Sequence, residues 1–345
     1  MLLRVTQWAH ATFCLMLLGP GASLSAPAPH FGTRIGIFIG GHPNFITLGH
    51  ALGVRYERLI MAVDGPNSRA LANIKGAESA GFRLNIQFTN LLPSTTGRPR
   101  PGPVTDDATF ERALGADLDA AHPGLVTIQN EEDIPKFWSG TPQDYLHELT
   151  DAVRVAHVRG YEISNGGIST GGVMLAYWHH LWESGQYAAA DAFAQRNLGP
   201  PGLSPHLIAR DLPNAAYPNR PLLALNPVVR DKLARAETLI AGYRATGIDY
   251  VNFHWYEGGP DDLQAVATWL SRTTGLPAIC NEMGQYSNDP RTVTGLLDMS
   301  ESLHLAWVLW FAIDGKGPAV GLADPDTAVL RANGQAFRAF VTSHP

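Results

Sequence analysis

Glu131 and Glu282 stand where two apolar runs end. Glu131 follows Leu125 to Ile128, at the point where the chain turns polar and acidic through Gln129-Asn130-Glu131-Glu132-Asp133. Glu282 closes the run Pro277-Ala278-Ile279-Cys280-Asn281-Glu282. Short apolar runs of this kind read as buried strands, so each carboxylate is expected at a strand's C-terminal end. Strict alternation puts the small residues Ala278 and Cys280 on the same face as Glu282, with space beneath it for Tyr256 and Arg58. Two carboxyl groups facing each other across a cleft suit the cleavage of an acetal. One, its pKa raised by its surroundings, protonates the leaving oxygen; the other stays ionised and attacks the anomeric carbon. A lone glutamate is usually a surface charge, but two at the ends of apolar strands mark a site.

Other side chains can serve the same cleft. From Val251 to Tyr256, apolar Val251, Phe253 and Trp255 alternate with Asn252, His254 and Tyr256, so one face of that strand is wholly polar. Indole rings can stack on the C–H faces of sugars. Trp269 and Trp307 read as core packing, whereas Trp138, Trp178, Trp182 and Trp255 read equally as core or platform. The 13 histidines show no H-x-H or H-E-x-x-H spacing, and no cofactor is expected. Two rival readings are a metal-dependent barrel hydrolase that gathers His42, His254, Glu131 and Glu282, and a carbohydrate-binding barrel without turnover. Two facing acids that repel give a mere binder little, which argues against the second.

The elements that must position these groups follow a βα rhythm. Eight β-rich runs are expected: 34–40, 56–64, 83–89, 125–130, 161–165, 250–256, 277–282 and 305–313. Amphipathic segments between them include Thr141 to Val158 and Arg230 to Thr246. That count predicts a single-domain α/β fold, a (β/α)8 TIM barrel, in which strand ends at the C-terminal face carry the chemistry. An open doubly wound sheet would announce a phosphate loop after its first strand, but Gly40-Gly41-His42-Pro43-Asn44 lacks the G-x-G-x-x-G spacing. The stretch between strands five and six, about 171–229, is too long for one crossover and is expected as an insertion walling the site.

Composition sets the bounds. The chain has 345 residues, 45% hydrophobic and 16% charged, which excludes disordered and coiled-coil classes. Its 25 basic against 31 acidic residues leave no electrostatic footprint for nucleic acid, so a neutral partner fits better. Arg4, the apolar stretch Trp8 to Leu18 and the small residues Gly21 to Ala28 have the three-part layout of a signal peptide, 1–27. The apolar stretch is too short to span a bilayer, and the mature chain, 28–345, is expected to be secreted or periplasmic. It keeps one cysteine, Cys280, so stability must come from a large core.

On these residues the sequence resembles the retaining glycoside hydrolases of clan GH-A, family 39-like or family 5-like. Asn130-Glu131 matches the clan's acid/base pair at strand four, and Glu282 in Pro-Ala-Ile-Cys-Asn-Glu-Met-Gly matches its strand-seven nucleophile. Where the clan usually has proline after the acid/base, Glu132 follows; the Asn neighbour points to Glu131, with Glu132 as the alternative. The resemblance implies that Arg58, in Gly53-Val54-Arg55-Tyr56-Glu57-Arg58, supports the nucleophile. It also implies that His254 and Tyr256 hydrogen-bond the nucleophile from strand six and that Trp310 floors the sugar subsite. Phe137-Trp138 followed by Tyr145 looks like the stretch after the Asn-Glu pair in family 39, with Trp138 near the substrate. The implied activity is hydrolysis of O-glycosidic bonds in an oligo- or polysaccharide by double displacement, with Asn130 bonding the sugar's 2-hydroxyl.

Overall fold

Each apolar run becomes a strand and each amphipathic segment packs outside it. The computed structural model describes residues 32–39, 42–63, 65, 67–92, 100–198, 227–256, 258–312 and 321–344; the expected signal segment lies outside them. The first half runs β1 (Arg34–Phe38), α1 (Phe45–Leu52), β2 (Tyr56–Val63), α2 (Ser68–Ser79), β3 (Arg83–Leu92), the two-residue β4 (Arg100–Pro101), α3 (Asp107–Ala121), β5 (Leu125–Ile128), α4 (Pro142–Val158) and β6 (Ile163–Asn165). After it come α5 (Thr170–Glu183), α6 (Tyr187–Asn197), α7 (Pro227–Thr246), β7 (Val251–Trp255), α8 (Pro260–Thr274), β8 (Ala278–Met283), α9 (Pro290–Ser302), β9 (Trp307–Phe311) and α10 (Ala332–Ser343).

Parallel pairing runs β6-β5-β3-β2-β1-β9-β8-β7, and β4 pairs only with β3. The two ends of that order meet through parallel bridges, Ser164 to Tyr250 and Ile168 to Phe253, which close the sheet into a (β/α)8 barrel. The barrel's fourth strand is therefore β5 and its seventh β8. The expected insertion between its fifth and sixth strands, about 171–229, holds α5 and α6 and ends where α7 begins; its residues 199–226 lie outside those described. Among the described residues, no helix is long and apolar enough to cross a membrane.

Inside the barrel, polarity rises toward the C-terminal ends of the strands. Leu125, Tyr250, Ile279, Trp307 and Leu309 form an apolar plug with Tyr56 packed on it. In the next layer Asn281 Nδ2 donates to Asn85 Oδ1 at 3.2 Å, and Asn85 Nδ2 donates to Thr127 Oγ1 at 2.8 Å. Asn252 Oδ1 accepts from the Asn281 backbone N–H at 3.1 Å, and Asn165 Oδ1 accepts from that of Asn252 at 2.6 Å. These amides satisfy one another, so the polar layer is buried without orphaned groups of its own. It is the platform on which the charged side chains stand.

Candidate active site

Glu282 reaches the cleft because β8 does not alternate strictly. Ala278, Cys280 and Met283 belong to the outer core, whereas Ile279 and Asn281 point into the barrel. The expectation that 278, 280 and 282 share a face is therefore corrected. Between β7 and β8 the pairing steps from Asn252 opposite Ile279 to His254 opposite Glu282, an extra residue on β8. Such a bulge turns the following side chain by one position, so Glu282 joins Asn281 on the inner side. What lies beneath the carboxylate is Asn281.

Three groups hold Glu282. Arg58 Nη1 donates to Oε2 at 2.9 Å, and the Tyr256 hydroxyl donates to Oε1 at 2.6 Å. The expected hydrogen bond from His254 is not made: its Nδ1 lies 3.9 Å from Oε2 and acts on Glu282 through charge alone. Burial opposes ionisation here, but the charges of His254 and Arg58 and the two donated hydrogen bonds outweigh it and hold the carboxyl below its ordinary range. Arg58 is itself fixed, donating to Asn130 Oδ1 at 2.6 Å, to Gln87 Oε1, and to the Asn281 backbone carbonyl at 3.1 Å.

The same imidazole touches the other glutamate. His254 Nδ1 lies 3.1 Å from Glu131 Oε1, and its Nε2 lies 3.1 Å from Asn281 Oδ1. Asn281 Oδ1 accepts, because that amide's nitrogen is spent on Asn85, so both ring nitrogens face acceptors. An imidazole in that position is best satisfied as the doubly protonated cation. Burial works against this, but the carboxylates of Glu282 and Glu131 more than offset it and raise the histidine's pKa. Gly167, at φ 96°, makes room for the ring; a Cβ there would stand 2.4 Å from Nε2. Glu131 and Glu282 thus share one cleft, each with a side chain 16% exposed, and the His254 ring lies between them.

Glu131 is presented by a strained turn. Gln129 and Glu131 both take left-handed backbone, φ 65° and 40°, which in non-glycine residues costs on the order of 1 kcal/mol or more each. The surroundings over-determine that turn. Gln129 Nε2 donates to buried Glu148 on α4 at 2.6 Å. Asp133 accepts from the Ser169 backbone N–H at 2.8 Å and hydroxyl at 2.6 Å. Arg235 on α7 donates to four backbone carbonyls: Gly140 at 2.9 Å and Glu132, Asp133 and Trp138 at 3.3 Å each. Glu132, fully buried, turns the other way and accepts from Tyr243 at 2.5 Å and Asn165 at 2.7 Å. Burial pushes its carboxyl up to about 7, and it faces away from His254, so of the two adjacent glutamates only Glu131 shares a bonding partner's reach with Glu282.

The structure brings Arg58, Asn130, Glu131, His254, Tyr256 and Glu282 together, and leaves three expected residues out. Trp310 is fully buried and meets Phe337 of α10 edge-on, 6.0 Å between ring centroids, on the outer side of β9. The inner position belongs to half-buried Phe311, 5.5 Å from Phe38 and 6.3 Å from Tyr256. Trp138 is also fully buried, its indole N–H donating to the Thr141 carbonyl at 2.9 Å; it supports the turn and lines no cleft. His42 lies 3.9 Å from Asp326, and the metal-competent group found among the described residues is Asp107, His147 and Asp151, so the four-residue metal set is not assembled. The sequence reading missed Gln87, Asn281, Arg235 and Phe311. The polar Asn85, Gln87 and Thr89 alternating along β3 were a readable signal for the first; nothing local marks Arg235.

No protein-family model and no curated protein sequence matches this chain. Among solved structures, the chain is similar to an exo-β-1,4-mannosidase from Opitutaceae bacterium strain TAV5, with a TM-score of 0.55 and 15% identity over 91% of this chain. It spans only 60% of that mannosidase's length. It is also similar to a family 128 (subgroup II) endo-β-1,3-glucanase from Pseudomonas viridiflava, with a TM-score of 0.51, 15% identity, and coverage of 89% of this chain and 97% of that one. At such identity the likeness establishes the barrel fold.

Proposed function

We propose that the protein is an exported retaining glycoside hydrolase of the clan GH-A type, with Glu282 as nucleophile and Glu131 as acid/base. The observation that carries this is the pairing itself: one carboxylate held ionised by Arg58 and Tyr256, and a second bonded to the same His254 across one cleft. In the first step a Glu282 oxygen bonds the anomeric carbon as the glycosidic C–O bond breaks, and Glu131 gives its proton to the departing oxygen. In the second, Glu131 takes a proton from water, which displaces Glu282 from the same carbon. Asn130 spends its oxygen on Arg58, so its amide nitrogen is the end left to donate to a sugar hydroxyl.

A slow fluorinated glycoside tests the assignment. The panel starts from β-glucosides and β-mannosides, the sugars of the two neighbours' substrates. Trapping should add one glycosyl mass to the Glu282 peptide. In parallel, Glu131→Ala should lose about 10² to 10⁴ in rate on poor leaving groups and much less on acidic ones. A label on another carboxylate, or full activity of Glu282→Gln, would overturn the mechanism.

A further inference from the structure

Outside the barrel mouth, α5, the turn after it and α8 enclose a cavity of about 620 Å³, within the size range of small-molecule sites. Its aromatic side is a cluster. The rings of Tyr177 and His180 lie 5.6 and 5.7 Å from that of Trp269, inclined to it by 56° and 31°. Trp269, expected as plain core packing, is only half-buried and lines this cavity.

The polar side runs along α8. Gln264, Thr268 and Arg272 line the cavity four residues apart, which sets an amide, a hydroxyl and a guanidinium on one face, about 6 Å apart along the helix. That repeat is of the same order as one hexose unit in an extended chain. Asp261 lies at the head of the row. Among the described residues, none of the side chains of Gln264, Thr268 and Arg272 is engaged in a hydrogen bond to the protein. Donors and acceptors of both charges beside an aromatic wall suit a neutral polyhydroxylated ligand, which offers C–H faces to the rings and hydroxyls to the row. An anionic chain would meet Asp261 and a net charge of −6.

We propose that this groove is a second saccharide-binding site, separate from the catalytic cleft, that holds a neutral polysaccharide by the strand. The choice of ligand rests on the glycosidase reading. The site makes no contact with the reacting bond; it raises the local concentration of polymer, so its effect falls on long substrates only.

The test uses the full chain carrying Glu282→Gln, run through native affinity gels containing soluble laminarin or soluble galactomannan. At least one polymer should retard it. Adding Trp269→Ala, or the double exposed change Gln264→Ala with Arg272→Ala, should weaken the apparent Kd at least fivefold. The same groove changes in the active enzyme should leave kcat/KM on aryl glycosides within twofold. Retardation unaffected by both groove variants, no retardation in either gel, or a parallel fall in aryl-glycoside activity overturns the proposal. An active-background panel with no turnover at all would instead remove the glycosidase reading, and groove-dependent retardation would still establish the site.

Discussion

Phe311 and Trp310 differ by one step along β9 and by the full thickness of the sheet. A side-chain period of two makes the face of any strand residue depend on register, and a one-residue error inverts it. The sequence shows two large aromatics in succession and nothing that sets which one faces inward; the pairing of Ile37 with Trp310 does. Glu131 and Glu282 were legible because charge at the end of an apolar run has few other uses, whereas Arg58, the third residue of β2, was pointed to only by the resemblance. The two aromatics should separate cleanly on substitution. Trp310→Ala removes a fully buried indole and should cost about 3 to 5 kcal/mol in urea unfolding. Phe311→Ala should leave stability nearly intact and lower kcat/KM about three- to tenfold through lost stacking. The reverse pattern would return the sugar platform to Trp310.

The eight barrel strands were legible as elements because each is a β-rich run bounded by turns, and α4 and α7 because their apolar spacing is helical. What α7 does was not legible. Its Arg235 meets the carbonyls of Glu132, Asp133, Trp138 and Gly140, and its Tyr243 meets Glu132, contacts made by a helix about a hundred residues further along the chain. A planar guanidinium with five donors can serve several acceptors; a methionine of similar length serves none. Arg235→Met should therefore lower kcat by on the order of 10² through misplacement of Glu131, with KM little changed. The loss should be larger for poor leaving groups than for acidic ones, and Arg235→Lys should recover part of it. Equal loss on both kinds of substrate would mean that Arg235 supports the fold alone. The β8 bulge was hidden for a related reason: an extra residue shows only against the partner strand.

At the scale of the whole molecule, the fold carries buried acids that the chemistry does not use. Glu57 on β2 is fully buried with neither carboxyl oxygen hydrogen-bonded, and burial pushes its pKa up to about 8. Glu148 is pushed up to about 8 by burial against its bond from Gln129. Both pKa values are raised on folding, so their contribution is fully present below the unfolded carboxylate range and is lost as pH rises toward about 8. Between about pH 4.5 and 8 the unfolded chain releases these protons and the folded chain keeps them. Stability in urea should fall across that window, with Glu57 alone contributing on the order of a few kcal/mol. Glu57→Gln should flatten the slope; an unchanged slope would mean that the carboxyl is not protonated in the fold.

The insertion between β6 and β7 divides the barrel into two runs of chain, and the cleft is shared between them. Arg58, Asn130 and Glu131 come from the first; His254, Tyr256 and Glu282 come from the second. The bonds from Arg58 to Glu282 and from His254 to Glu131 both cross the divide. Neither run by itself can hold one carboxylate charged and oppose the other to it. During folding the chemistry is therefore the last property to appear, after the strands of each run have paired and the two have met along β1 with β9 and β6 with β7. On the glycosidase reading, turnover would report the closure of the circle, where helical signal or core fluorescence reports only its arcs.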